Sequence, residues 1–340
     1  MRRRAFIALL GAGGAGACFA SQSPRLVRHE YEQPQMGVPF RIVLYASDEP
    51  HALTAVRAAF DRIAQINAAL SDYEEDSELS RLSRSSGSGT LVRISEDLWR
   101  VLDRAQRVAR ASDGAFDVTC GPLVHLWRRA RRQRALPEPA KLEEARRATG
   151  FAKLSLADKP RGARLVTPGM RLDLGGIAKG FAADEAMKAL RAHGVTRALV
   201  SGGGDMAVGD APPGRSGWRV ELAAHDAPGA PATEFIELED CGFATSGDLF
   251  QHVEISGRRY SHIVDPRTGI GLTDHSLVFV IAPDAMRADS LSTAVSVLGP
   301  VAGLKLVART SGAEARIVRK PLDRIETAES PGFARYRAWK

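Results

Sequence analysis

The chain has 340 residues, and 44% of them are hydrophobic, which is enough to bury the core of one large domain or of two closely packed ones. The formal net charge is +7, but Arg2 to Arg4 and the run from Arg128 to Arg134 carry much of it. Aromatic residues make up only 6%, so a basic stripe with stacking aromatics for nucleic acid is disfavoured. Three widely spaced cysteines give neither a disulfide framework nor a zinc motif.

The first twenty residues have the pattern of an export signal. Arg2, Arg3 and Arg4 precede an apolar and then Gly/Ala-rich stretch without acidic residues, close to a twin-arginine pattern. The segment is too short for a transmembrane helix. Two processing routes remain open: cleavage before Cys18 with lipidation, or cleavage by an ordinary signal peptidase. We expect an exported, periplasmic protein, either free or anchored to the inner membrane as a lipoprotein.

The first half of the mature chain predicts a strand followed by helices. Apolar residues alternate from Val38 to Leu44, and helical spacing follows from Leu53 to Leu70. Ser95, followed by two carboxylates, predicts the start of a helix that ends near Gly114. The arginine-rich run from Arg128 to Arg134 is interpreted as a solvated helix end or loop, with contact to anionic lipid or an acidic partner as the alternative.

In the second half, strands, glycine turns and helices alternate. The predicted helices are 141–150, 177–193 and 284–298, the last two ended by Gly194 and Gly299. The predicted strands are 170–174, 197–201, 218–222, 235–238, 260–264 and 276–281. Several hairpins among them favour an α+β fold over a doubly wound parallel sheet.

Asp289 and Thr293 stand four residues apart on a predicted helix, so their side chains project from the same face. A carboxylate with a hydroxyl suits a hard cation such as Mg²⁺, which keeps positions for water or phosphate. The same pair is also common on a solvated helix face.

The stretch from Leu172 to Gly180 predicts a strand, a double-glycine turn and a helix start. Such a turn offers backbone N–H groups to phosphate, and Lys179 adds a positive charge. A tight turn that needs glycine for steric reasons is the alternative. His262, among Ser, Asp and Arg neighbours, is a candidate for acid–base chemistry, although a single histidine is often structural.

Taken in order, eight motifs resemble the ApbE family of FAD:protein FMN transferases over residues 34–310. They are Met36-Gly37, Leu70-Ser71-Asp72-Tyr73, Gly114-Ala115-Phe116-Asp117-Val118, the stretch from Leu172 to Gly180, Gly203-Gly204-Asp205, Ala244 to Asp248, Ser261 to Gly269, and Ala288 to Ala294. The resemblance implies an ApbE-like fold, with mixed or antiparallel sheets flanked by helices and an active site between two lobes. Residues 311–340 are expected to add a C-terminal strand and tail.

The resemblance also implies roles for individual residues. His262 and Asp289 would be catalytic, and Gly176, Asp289 and Thr293 would hold Mg²⁺ or Mn²⁺, the glycine through its carbonyl. Positions expected to line the FAD site are Met36, Tyr73, Ala115, Phe116, Asp117, Asp173, Lys179 and Ile263.

The implied reaction cleaves FAD, attaches FMN through a phosphoester to a Thr or Ser of a target redox protein, and releases AMP. Two alternatives remain open. A metal-dependent FAD pyrophosphatase would use water in place of the acceptor hydroxyl. A non-catalytic flavin-binding lipoprotein would only store or deliver the cofactor. No nucleic-acid partner is expected.

Overall fold

The computed structural model describes residues 25–223, 234–248, 251–321 and 324–338, so the expected export signal at 1–20 lies outside the described residues. Within these ranges the α-helices are α1 (Glu49–Leu70), α2 (Glu78–Arg84), α3 (Glu96–Ala111), α4 (Gly121–Gln133), α5 (Pro139–Arg147), α6 (Ala178–Ala192) and α7 (Ala285–Ala308). Short 3₁₀ turns occupy Phe151–Lys153 and Phe333–Tyr336.

The strands of the first half are β1 (Val27–Gln35), β2 (Val38–Ala46), β3 (Val92–Arg93), β4 (Leu154–Ala157), β5 (Gly162–Leu165), β6 (Ala198–Gly202) and β7 (Asp205–Val208). Those that follow are β8 (Trp218–Leu222), β9 (Glu234–Leu238), β10 (Cys241–Gly247), β11 (His252–Ile255), β12 (Arg258–Ser261), β13 (Val264–Asp265), β14 (Ile270–Gly271), β15 (Ser276–Ala282), β16 (Glu314–Arg319) and β17 (Glu326–Glu329).

One antiparallel sheet of eight strands organises the fold, in the order β1-β2-β6-β7-β10-β15-β16-β17. It is covered on both faces, which explains why all seven residues of the central strand β15 are buried. Val278 and Val280 face the core shared with α1, α6 and α7, whereas Leu277 and Phe279 face the β8–β9 hairpin. Helices packed on an antiparallel sheet confirm the predicted α+β class.

A third and smaller core includes no residue of the eight-stranded sheet. It joins α4 and α5 to the β11–β12 hairpin and β13, with Trp127 at its centre. The Trp127 ring lies 5.1 Å from that of Tyr260, and its indole N–H donates to the carbonyl of Gly269 at 2.8 Å. This small unit presents the loop that carries His262.

Helix α7 begins at a doubly capped N-terminus. The side chain of Asp284 accepts from the N–H of Arg287 at 2.7 Å. Asp184, from α6, accepts from the N–H groups of Ala285 and Met286 at 2.9 Å each, so three N–H groups that the helix leaves free are satisfied. These bonds tie the middle of α6 to the start of α7, one turn before Asp289.

Three predicted elements need correction. The strand predicted at 260–264 is interrupted at His262 and Ile263, which lie between β12 and β13. Residues 170–174 are extended but form no strand, because their backbone bonds go to isolated partners: the N–H of Leu172 donates to the Ser83 hydroxyl, and that of Asp173 to the carbonyl of Val118. The final helix does leave helical geometry at Gly299, where φ is 71°. However, Pro300 begins a second segment that runs to Ala308.

Candidate active site

The structure brings Asp289 and Thr293 together on the face of α7 that packs against the turn before α6. One carboxylate oxygen of Asp289 accepts from the N–H of Gly180 at 3.0 Å. A β-carbon placed on Gly176 would lie 2.8 Å from the Thr293 hydroxyl oxygen. Asp289 and Thr293 therefore both face the double-glycine turn that precedes α6. The lack of a side chain at Gly176 leaves room for Thr293.

Lys179 lies between the carboxylates of this site. Its ammonium is 2.9 Å from a carboxylate oxygen of Asp205 and 3.9 Å from one of Asp289, and it donates to the carbonyl of Gly175 at 2.9 Å. An ammonium has three N–H donors, so one remains for an anionic substrate. Burial opposes the charge of Lys179, but the two aspartates outweigh burial and raise its pKa above the usual value.

Asp205 and Asp289 are both buried. Burial raises the pKa of each carboxyl group, and the proximity of Asp289 raises that of Asp205 further, while Lys179 acts in the opposite direction. One ammonium thus faces two carboxylates. An additional positive charge would stabilise both anions.

The donor set fits a hard divalent cation. Within the described residues, no group of three or more His, Cys, Asp and Glu side chains could hold a metal. The candidate ligands remain those that the family resemblance implies: the Asp289 carboxylate, the Thr293 hydroxyl and the Gly176 carbonyl. All three donate oxygen, which Mg²⁺ prefers, and so small a set leaves positions for phosphate and water. The Thr293 side chain approaches Gly176 so closely that a β-carbon there would collide with its hydroxyl, which places two of the three candidate residues side by side.

The glycine turn itself offers less to an anion than the sequence suggested. Most of its N–H groups bond within the protein: Gly175 to the Asp173 carboxylate, Ile177 and Ala178 to the carbonyl of Leu174, and Gly180 to Asp289. Anion binding at this turn therefore depends mainly on the side chain of Lys179.

Arg128 links Asp173 and Tyr73. From the sequence, it was expected to be solvated, as part of the basic run from Arg128 to Arg134. Arg128 donates to Asp173 at 2.8 Å and also to Asp72, and its guanidinium lies 4.6 Å from the centre of the Tyr73 ring. The Tyr73 side chain is 76% exposed. Arg128 therefore holds an accessible aromatic ring at the rim of the site, and its interpretation as a solvated residue was wrong.

His262 is half-buried. Its Nδ1 lies 3.1 Å from the carbonyl oxygen of Gln251. A carbonyl can only accept, so Nδ1 carries the proton and Nε2 has a free lone pair. Burial lowers the pKa of His262 to about 4, with Arg131 and Lys179 acting in the same direction. The ring is therefore neutral at pH 7 and able to accept a proton.

The remaining predicted flavin residues are placed less directly. Ala115, Phe116 and Asp117 are buried, and the Asp117 carboxylate accepts from the N–H and hydroxyl of Thr119 at 2.8 and 2.7 Å. Ile263 is also buried, next to His262.

Met36 occupies the turn between β1 and β2, where its φ is 51°. Beyond that turn, Val38 lies 3.1 Å from a β-carbon built on Gly203, which in turn would be 3.4 Å from the Lys179 side chain. The hairpin end that carries Met36 is therefore close to the lysine.

Two residues that contact predicted site residues are missing from the sequence-based set. Asp205 begins β7 directly after Gly203 and Gly204, and Arg128 belongs to the basic run of α4. Asp205 could have been proposed from the sequence, because an acidic residue directly follows the double glycine Gly203-Gly204. Nothing local in the sequence distinguishes Arg128 from its neighbours.

Comparison with known families gives a match to the model of the ApbE family over residues 36–317. A protein from Haemophilus influenzae named FAD:protein FMN transferase is 34% identical over 264 residues, which is 76% of each chain. One of the same name from Treponema pallidum is 33% identical over 324 residues, or 90% of this chain and 88% of its own.

Solved structures resemble the whole architecture. The ApbE protein from Thermotoga maritima superposes with a TM-score of 0.82 at 28% sequence identity, covering 92% of this chain and all of the other. The flavin transferase ApbE from Vibrio cholerae gives a TM-score of 0.81 at 27% identity, with the same coverage.

Proposed function

The chain belongs to the ApbE family and by that membership is an FAD:protein FMN transferase; we propose that its transfer reaction depends on a divalent metal and releases AMP. The observation that carries this proposal is the meeting of Asp289 and Thr293 with the Gly176–Gly180 turn, with Lys179 between two buried aspartates. FAD is the substrate, and the acceptor is a Thr or Ser hydroxyl of a target redox protein.

In this reaction the acceptor oxygen forms a bond to the FMN-side phosphorus of FAD. The P–O bond to the AMP phosphate breaks, and its electron pair leaves with AMP. Asp289, Thr293 and the Gly176 carbonyl would hold Mg²⁺ or Mn²⁺, which when bound supplies positive charge for the diphosphate oxygens. The third N–H of Lys179 donates to the same diphosphate, and Asp205 keeps the ammonium in place.

His262 takes the proton of the acceptor hydroxyl. Because its Nδ1–H is bonded to Gln251, the free Nε2 is directed away from that carbonyl and can act as general base. At the rim, the exposed ring of Tyr73 supplies a surface on which an aromatic ring of FAD can stack, since Arg128 fixes it from the other side.

The direct test is incubation of the purified chain with FAD and Mg²⁺, with and without a candidate acceptor domain. Transfer predicts one FMN mass added to a Thr or Ser of the acceptor, with an equal amount of AMP. Free FMN and AMP at the same rate without acceptor would indicate a pyrophosphatase. No AMP in either case would indicate a flavin-binding protein without catalysis. Transfer undiminished by chelation of divalent ions would contradict the metal dependence.

Export to the periplasm is part of the proposal, on the arginine-led apolar segment at 1–20. Fractionation of cells that express the full chain, together with a Cys18→Ser variant, tests it. Recovery of the wild type from membranes and of the variant from the soluble periplasm would indicate lipidation at Cys18. Retention of both in the cytoplasm would contradict export.

A further inference from the structure

Helix α4 and the segment beside it carry a cluster of arginines at the edge of the site. The pKa of His125 is consistent with their closeness. Burial lowers this pKa, and it is lowered further by four arginines: Arg171, Arg128, Arg132 and Arg129. Four guanidinium groups from two segments thus act on one imidazole. Arg171 comes close because it forms an isolated parallel bridge with Cys120, the residue that precedes α4.

We define the arginine patch as Arg129, Arg131, Arg132 and Arg171. Arg128 is excluded because it is neutralised by Asp72 and Asp173. Within the part of the chain that the structure describes, no carboxylate forms an ion pair with a member of the patch. The bonds that its members do make are to uncharged groups: Arg129 to the Gln133 side chain, Arg131 to that of Gln251 and Arg171 to the backbone of Asp72. The patch therefore keeps its positive charge.

This patch is continuous with the reacting groups of the site. Arg131 donates to the Gln251 side chain at 3.3 Å, and the carbonyl of the same Gln251 holds the His262 ring at 3.1 Å. At the other end, Arg171 donates at 3.0 Å to the backbone of Asp72, next to the exposed ring of Tyr73. One residue separates the patch from the proposed general base.

We propose that the arginine patch binds an acidic segment of the acceptor protein that flanks the Thr or Ser receiving FMN. The proposal rests on the transferase function. The acceptor hydroxyl must reach Nε2 of His262, and an extended chain advances about 3.3 Å per residue, so residues three or four positions away lie about 10–13 Å from it. Arg131, on α4, is connected to His262 through the single residue Gln251. Carboxylates at those positions would meet arginines that have no counter-charge.

A membrane surface could also attract a basic patch. The observations favour the acceptor because Arg131 is joined through Gln251 to His262, where the acceptor hydroxyl has to bind. Lipid binding is therefore the competing outcome of the test below.

The test uses the full chain with Arg129 and Arg132 both changed to glutamate, two exposed residues outside the proposed catalytic machinery. The matched control carries Arg57→Glu and Arg164→Glu, exposed arginines on α1 and β5. With an acceptor domain that the wild type flavinylates, the patch variant should raise the KM for acceptor on the order of tenfold at low salt. The kcat and the KM for FAD should stay within about twofold of the wild type, and the salt dependence should weaken.

Poly-L-glutamate provides a second probe, with Mg²⁺ in excess. It should inhibit the wild type competitively with acceptor but not with FAD, and should inhibit the patch variant less. An unchanged acceptor KM in the patch variant, or an equal rise in the control, would overturn the proposal. Loss of binding to vesicles containing anionic phosphatidylglycerol, without a change in acceptor KM, would assign the patch to lipid. No transfer by the wild type would overturn the transferase function as well.

Discussion

Changing Gly176 to alanine tests the geometry on which the proposed reaction depends. The new β-carbon would lie 2.8 Å from the hydroxyl oxygen of Thr293 and 3.3 Å from its β- and γ-carbons. Ordinary contact begins near 3.4 Å, so Thr293 must move by about 0.6 Å. The backbone of Gly176 is not left-handed, so the substitution acts through this displacement and not through strain.

Overpacking of this kind costs about 1–3 kcal/mol of stability. A misplacement of about 1 Å at a reacting centre can cost about 100-fold in rate. We therefore expect FMN transfer to slow by about 10- to 100-fold and the Mg²⁺ concentration for half-maximal rate to rise, with the fold retained in circular dichroism and thermal melting.

Two further variants separate packing from ligation. Thr293→Ser in the Gly176→Ala background removes the γ-methyl and keeps the hydroxyl, and should recover part of the rate. Thr293→Val alone keeps the shape and removes the hydroxyl, and should raise the Mg²⁺ requirement without a steric clash. If Gly176→Ala matched the wild type in both rate and Mg²⁺ requirement, Thr293 would not be held against this turn for catalysis.

Three other predictions follow from the charged groups. His262→Gln should lower kcat by about 100-fold or more at pH 7. In a pH–rate profile the wild-type rate should fall as the pH drops through about 4, because His262 then gains a proton. The variant should not show this fall in rate at acid pH. Asp205→Asn should let Lys179 move toward Asp289, 3.9 Å away, so a Mg²⁺ titration should show weaker activation. Despite burial, bonds to Lys188 and Arg62 lower the pKa of Glu185 to about 2. Glu185→Gln should therefore lower the free energy of unfolding by about 1–3 kcal/mol at pH 7. In denaturant unfolding this difference should shrink as the pH falls from about 4.5 toward 2, because protonation of Glu185 then removes the advantage of the wild type.

Local signals in the sequence predicted the parts of the site that depend on periodicity. Asp289 and Thr293 share a face because α7 is helical over that stretch, and Ser95 caps α3 as its hydroxyl predicts, accepting from the N–H of Leu98 at 3.3 Å. The α+β class followed from the same patterns, because hairpins and amphipathic helices are local features.

Contacts between distant segments could not be predicted in this way. Arg128 reaches Asp173 across 45 residues, and Asp205 meets Lys179 only because the β6–β7 turn folds over the start of α6. The segment 170–174 has the composition of a strand, but its N–H groups bond to Ser83 and to Val118. Each of these outcomes depends on a tertiary partner that no local pattern identifies.

The two halves of the site differ in how they are held, and this difference bears on substrate choice. The candidate metal ligands are fixed by helix packing: Asp184 caps α7, Gly180 donates to Asp289, and Gly176 meets Thr293. His262 and the three arginines of the patch that lie on α4 belong to the smaller unit with its own core around Trp127. Residues on rigid, well-packed elements set geometry most accurately. We therefore expect substitutions around α6 and α7 to change the chemistry for every acceptor, and substitutions on the exposed face of α4 to change which acceptors are modified.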